Sequence, residues 1–133
     1  MRALTAAERE FLAQPFVGVV TDLRPDGSAH STVVWVDVDG DGSVSFNTAY
    51  GRAKPRHLAA DPRVSLTVVD PADPYRWISL DGRAELVDEG ADEQIDRLAQ
   101  KYIGADTYPW RRPDERRVTV RITPTRIESR GLD

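Results

Sequence analysis

Ser45-Phe46-Asn47-Thr48-Ala49-Tyr50-Gly51-Arg52-Ala53-Lys54-Pro55-Arg56 runs from the end of a strand into the start of a helix. Ser45 to Thr48 completes a strand that begins at Ser43, Gly51 breaks it, and Pro55 suits the first turn of a helix over Arg52 to Ala60. Three cations, Arg52, Lys54 and Arg56, fall within five residues at that helix start. Partial positive charge at a helix N-terminus makes cations there unfavourable by roughly 0.3–1 kcal/mol each. A bound phosphate or carboxylate reverses the sign, because free N–H groups and basic side chains converge on it. The placement points to a site for an anionic ligand. In a regular helix Arg52 and Arg56 share a face and Lys54 points away, so all three converge only if Gly51 to Pro55 is still a turn.

Upstream, Thr5 and Glu8 have capping-box spacing, so a short helix follows and ends before Pro15. Phe16 to Leu23 and Ser28 to Val38 read as strands joined by the turn Arg24-Pro25-Asp26-Gly27, a hairpin. Asp39-Gly40-Asp41-Gly42 makes the next turn. Downstream, Asp61-Pro62 stops the helix. A strand over Arg63 to Val69, a turn over 70–74 and a long strand from Tyr75 to Val87 follow, with Asp81-Gly82 marking a bulge. Ile95, Leu98, Ala99, Tyr102 and Ile103 line one face of a helix over Ala91 to Ile103, capped by Gly104. A polar loop holds Tyr108, Pro109 and Trp110. Arg116 to Ile122 and, past Pro124, Arg126 to Ser129 read as two last strands. Mostly hairpin-connected strands with few helices predict an α+β fold, an antiparallel barrel in one domain over residues 1–133.

The chain has 133 residues, a net charge of −4 and no cysteine. The charge argues against general nucleic-acid binding. The missing cysteines exclude disulfides, thiolate metal sites and Cys nucleophiles. No apolar run predicts secretion or membrane spanning, and a cytoplasmic location is expected. Lys54 and Lys101 are the only lysines, and one of them lies in the basic cluster.

Two motifs resolve to bland explanations. Asp37 to Val44 imitates the start of a calcium loop, but its twelfth position is Thr48 and its flanks are strands, so a hairpin turn explains it better. His30 and His57 are the only histidines; no zinc pattern and no nucleophile elbow accompanies them, so no metal site is expected and His57 is placed on a helix surface or a binding edge. Trp35, Tyr75 and Trp77 serve core, interface or a flat wall against a ring system.

Three segments together resemble the split β-barrel superfamily of pyridoxamine 5′-phosphate oxidase-like proteins, in particular its actinobacterial branch that uses the deazaflavin coenzyme F420. They are Phe46 to Leu58 with Asp61-Pro62-Arg63-Val64-Ser65-Leu66; Asp70-Pro71 through Trp77 with Gly82-Arg83-Ala84-Glu85-Leu86; and Lys101-Tyr102-Ile103-Gly104 with Tyr108-Pro109 and Arg116-Arg117-Val118. The resemblance implies an FMN-binding-type split barrel with peripheral helices, and a homodimer with cofactor sites between subunits. It assigns cofactor contacts to Arg52, Ala53, Lys54 and Arg56 at the anionic groups, to Asn47 and Thr48 at the phosphate or ribityl chain, and to Ser31, Thr32, Val33 and Val34 along the ring. Trp77 and Arg76 would come from the other subunit. The implied activity is hydride transfer between F420 and a small electron-poor organic substrate, with no catalytic residue assigned. The alternatives are an FMN-dependent oxidase or reductase on the same fold, and a non-enzymatic cofactor- or haem-binding module using His30 or His57.

Overall fold

The computed structural model describes residues 2–133. Its elements are α1 (Ala6–Ala13), β1 (Gly18–Leu23), β2 (Ala29–Val34), β3 (Val36–Val38), β4 (Val44–Ala49), α2 (Ala53–Ala60), β5 (Arg63–Asp70), β6 (Asp73–Val87), α3 (Ala91–Ile103) and β7 (Arg117–Arg130). The seven strands form one antiparallel sheet in the order β2-β1-β5-β6-β7-β4-β3. Its two edge strands, β2 and β3, are separated in the chain by Trp35 alone, so the sheet must curl back on itself as a split barrel. Alternation puts Val20, Val34, Val36, Phe46, Leu66, Val68, Ile78, Leu80, Val120 and Ile122 in the shared core.

The capping box at Thr5 forms as its spacing predicts. Helix α3 has the predicted bounds, and the bulge sits between Asp81 and Gly82. There the Thr123 carbonyl oxygen leaves no room for a Cβ on Gly82. Three expectations are corrected. The strand over Ser28 to Val38 is two strands, because the chain changes sheet partner from β1 to β4 at Trp35. The last two strands are one, because Pro124, which has no N–H to donate, sits opposite Gly82 at the bulge and leaves the ladder unbroken beyond it. Asp73 and Pro74 belong to β6, which shortens the turn before it.

Helix α3 is fastened over β4 and β7 by buried polar groups. Gln94 Nε2 donates to Ser45 Oγ (2.8 Å) and Asp37 Oδ2 (3.1 Å), and its Oε1 accepts from Asn47 Nδ2 and Thr119 Oγ1. At the other end Tyr102 donates to the Phe16 carbonyl (2.7 Å) and accepts from Val36 N–H (2.9 Å). Lys101 Nζ donates to the Leu12 and Val36 carbonyls. Burial holds its ammonium down at about 8 and pushes the Tyr102 phenol up to about 12.

Candidate functional site

A cleft of about 200 Å³ opens where the ends of β2 and β4 meet the start of α2, under α3 and the loop that follows it. Its lining has a cationic part, Arg52, Lys54 and Arg117 beside Asn47 and Thr48, and an aromatic part, Trp35, Tyr108 and Trp110. The two meet where the Arg117 guanidinium lies over the Tyr108 ring. Trp35, at the bend that ends β2, stacks on Tyr102 with planes 4° apart and centroids 5.4 Å apart. Tyr108 and Trp110 meet it edge-on or tilted at 6.1 and 6.5 Å. The bend in the chain is therefore held by rings from α3 and its loop.

The cationic part grows from local chain geometry. Arg52 is the N-cap of α2, in an extended conformation, and makes no side-chain capping bond. Pro55, in the first turn, has no N–H, so Ala53 and Lys54 carry the first helical N–H groups without a capping oxygen. Burial, together with nearby Arg52, lowers the Lys54 pKa, and Asp22 partly offsets this. Glu115 bridges two of the cations, at 3.3 Å from Arg52 and 2.6 Å from Arg117 Nε. The second contact is Coulombic and lacks hydrogen-bond geometry.

Arg117 is buried, with its guanidinium 4.7 Å from the Tyr108 ring. Its Nη1 reaches Asn47 Oδ1 only at 3.4 Å, and its Nη2 has no partner; neither has Thr48 Oγ1. Buried unpartnered donors carry a desolvation cost of about 1–3 kcal/mol each, more for a charged group. An anion in the cleft would recover it. Arg117 received no role from the sequence. Its signal was a cation on the buried face of a strand, visible only once β7 is paired with β4.

The predicted contacts separate into two groups. Val33, Val34, Asn47, Thr48, Arg52 and Lys54 line the cleft, with Ala53 in the capless turn beside it. Asn47 Nδ2 is committed to Ala91 and Gln94, so this side chain fastens α3 and offers only Oδ1 toward Arg117. Ser31 bonds Thr21 on the outer face of the sheet, and Thr32 Oγ1 is buried away from the cleft lining. The helical geometry expected for the cations is reversed: Arg52, as N-cap, joins Lys54, while Arg56 faces a different hollow with Arg24 and Asp61. Arg76 pairs with Asp70 at 2.5 Å and lies over the Phe11 ring. Trp77 sits opposite Val69, away from this chain's cleft. His57 is not on the helix surface: it is buried against Asp22.

With that geometry in place, a family model described as pyridoxamine 5′-phosphate oxidase matches residues 4–131. The chain belongs to this family. Within reach of the pyridoxamine 5′-phosphate oxidase fold, it is similar to an F420H(2)-dependent biliverdin reductase of Mycobacterium tuberculosis (strain CDC 1551 / Oshkosh), 30% identical over 120 residues, covering 88% of this chain and 81% of the relative. A solved structure titled F420 reductase matches with a TM-score of 0.79 and 26% identity, over 94% of this chain and 98% of that one. A conserved hypothetical protein from Mycobacterium tuberculosis matches with a TM-score of 0.74 and 28% identity, over 96% and 85%. Among the described residues, no helix is long and apolar enough to cross a membrane.

Proposed function

We propose that this protein is an F420-dependent oxidoreductase that reduces a small, electron-poor organic molecule such as an enone or a quinone-like compound. One observation carries the reading: three cations, one of them a buried guanidinium with an unpartnered nitrogen, line the same cleft as three aromatic rings. Coenzyme F420 has a phosphodiester and an acidic glutamyl tail, which use more positive charge than one phosphate does. The names of the similar reductases agree. When bound, the deazaflavin supplies hydride chemistry. The chain's own residues position it. Arg52, Lys54, Arg117 and the Ala53 N–H hold the anionic part, and Val33 and Val34 flank the ring. Trp35, Tyr108 and Trp110 keep water from the reacting face.

A cleft of about 200 Å³ is small beside ordinary cofactor sites of roughly 300–1,000 Å³. A second copy of the chain would complete it. The outer face of β2-β1-β5-β6 exposes Val17, Val19, Val33, Val69 and Tyr75, separated by uncharged Thr21, Ser31, Thr67 and Ser79. Val33 belongs both to this face and to the cleft, and Trp77 lies on the same face opposite Val69, so in the proposed dimer its role would be at the neighbouring copy's site.

Fluorescence titration of F420 against the wild type and an Arg52→Ala/Lys54→Ala variant tests the reading, with light scattering to read the mass. The expected result is a dimer that binds F420, with affinity at least about tenfold lower in the variant. A wild type that ignores F420 defeats the assignment. A yellow preparation that releases FMN on denaturation transfers the site to the flavin.

A further inference from the structure

Outside the cleft, the fold assembles a second polar cluster. Asp22 on β1 is paired directly with His30 on β2, and His57 on α2 packs against both. Asp22 is fully buried. Its Oδ1 lies 2.6 Å from Nδ1 of His57 and 3.0 Å from Nδ1 of His30, and the two rings meet edge-on with centroids 5.0 Å apart. Its other oxygen, Oδ2, is buried with no partner at all. One ligand atom from each of the three residues lies within 4.8 Å of the others.

We propose that Asp22, His30 and His57 form a binding site for a divalent transition-metal ion of the zinc type. As a hydrogen-bonded trio the cluster is poorly finished. Both imidazoles converge on one carboxylate oxygen and leave the second, Oδ2, buried without a hydrogen bond, a cost for a polar group in the interior. A divalent cation among the three would engage the carboxylate and both rings at once. Two imidazoles and one carboxylate are a borderline N/O donor set that suits zinc, cobalt or nickel. Zinc bonds of about 2.0–2.2 Å set tetrahedral ligand atoms roughly 3.2–3.5 Å apart, so the ion would move His30 from Asp22 by a few tenths of an ångström and His57 by roughly 0.6–0.9 Å. Bound to the ion, each imidazole offers its Nδ1 lone pair and carries its single proton on Nε2; any further proton is released to solvent. Lys54, across the start of α2, feels the Asp22 charge and tempers the affinity, but it does not bond Oδ2.

One ligand residue borders solvent: His57 lines an open hollow of about 520 Å³ together with Arg24, Asp26, Arg56 and Asp61. The three ligands belong to three elements, so the ion would staple α2 to the β1–β2 hairpin and stabilise the folded chain by mass action.

The test uses the full chain without an affinity tag, stripped with a chelator. It is titrated with ZnCl2 by calorimetry and with CoCl2 by visible absorption. One ion per chain, visible cobalt bands and a raised Tm are expected, with affinity lowered by roughly 10–100-fold or more in His30→Ala, His57→Ala and Asp22→Asn. His30 is the least buried of the three, so His30→Ala, checked by circular dichroism, remains decisive if the other two variants do not fold. Folded wild type that takes up no stoichiometric ion, or His30→Ala that binds as tightly as the wild type, overturns the proposal and leaves a hydrogen-bonded trio.

Discussion

Glu8 and Arg117 are both buried charges, and they are satisfied to different degrees. Each Glu8 oxygen has two partners: Oε1 accepts from Arg2 (2.7 Å) and the Thr5 N–H (2.9 Å), and Oε2 accepts from Arg2 (2.9 Å) and Ser129 (2.7 Å). Arg117 has an ion pair of poor geometry, one long contact and one nitrogen with nothing. Glu8 ties the first helix to the last strand, and every lone pair is used within the chain. Arg117 sits at a cleft, where leaving capacity unused costs stability and favours an anionic ligand. Saturation marks the structural charge, and incomplete pairing marks the candidate functional one.

The largest effect should come from breaking the saturated charge. Arg2, opposed by burial and helped by the Thr5 N–H and Ser129, holds the Glu8 carboxyl down at about 2, below its ordinary 4.5. A folded-state value below the unfolded one stabilises the fold above the unfolded value, and this stability is lost as the pH falls through the folded one. In full, a drop from 4.5 to about 2 is worth about 3 kcal/mol; Arg2 is nearly half exposed and solvent screens the pair, so Glu8→Gln should cost about 2 kcal/mol at pH 7. Urea denaturation should show the gap to wild type closing between pH 4.5 and about 2. F420 affinity should be unchanged, because Glu8 does not line the cleft. A gap that persists unchanged at acid pH would mean that packing, not charge, is what Glu8 contributes.

The unfinished charge should behave in the opposite way. Arg117→Met keeps the volume and removes the guanidinium. Stability should change by less than about 1 kcal/mol, because Glu115 keeps Arg52 as a partner at 3.3 Å and the loss of the second pair is offset by the relieved desolvation of the guanidinium. F420 affinity should fall by roughly ten- to fiftyfold, the worth of a buried charge-assisted contact. Thermal melts and fluorescence titration on the same preparation check both halves. A large loss of stability with intact affinity would put Arg117 in the same class as Glu8.

The contrast also explains what was legible in the sequence. Thr5 and Glu8 are three residues apart, so their capping box is a local pattern, and α3 declares itself by its own periodicity. The anion site was legible in part, because Arg52 and Lys54 are adjacent to a helix start. Arg117 was not, since nothing near it in the chain marks it; only the β4–β7 pairing brings it beside Asn47 and Thr48. The Asp22, His30 and His57 cluster needs both the β1–β2 register and the packing of α2, so two scattered histidines gave no pattern. The break at Trp35 was hidden because inward alternation continues unchanged from Val34 to Val36 while the partner strand changes.

The smallest effect is the sharpest separation of the two kinds of charge environment. Thr48 lies inside β4 with its hydroxyl buried and unpartnered, and it lines the cleft. Val has nearly the same shape, suits a strand and carries no group to desolvate. Thr48→Val should therefore raise stability by about 0.5–1 kcal/mol, since an unsatisfied hydroxyl is removed without opening a cavity. If the hydroxyl is kept for the ligand, F420 affinity should fall about three- to tenfold in the same protein. A structural hydroxyl gives one sign in both measurements or no change in binding. Opposite signs, more stable and weaker binding, are what a side chain left unsatisfied for a ligand must show.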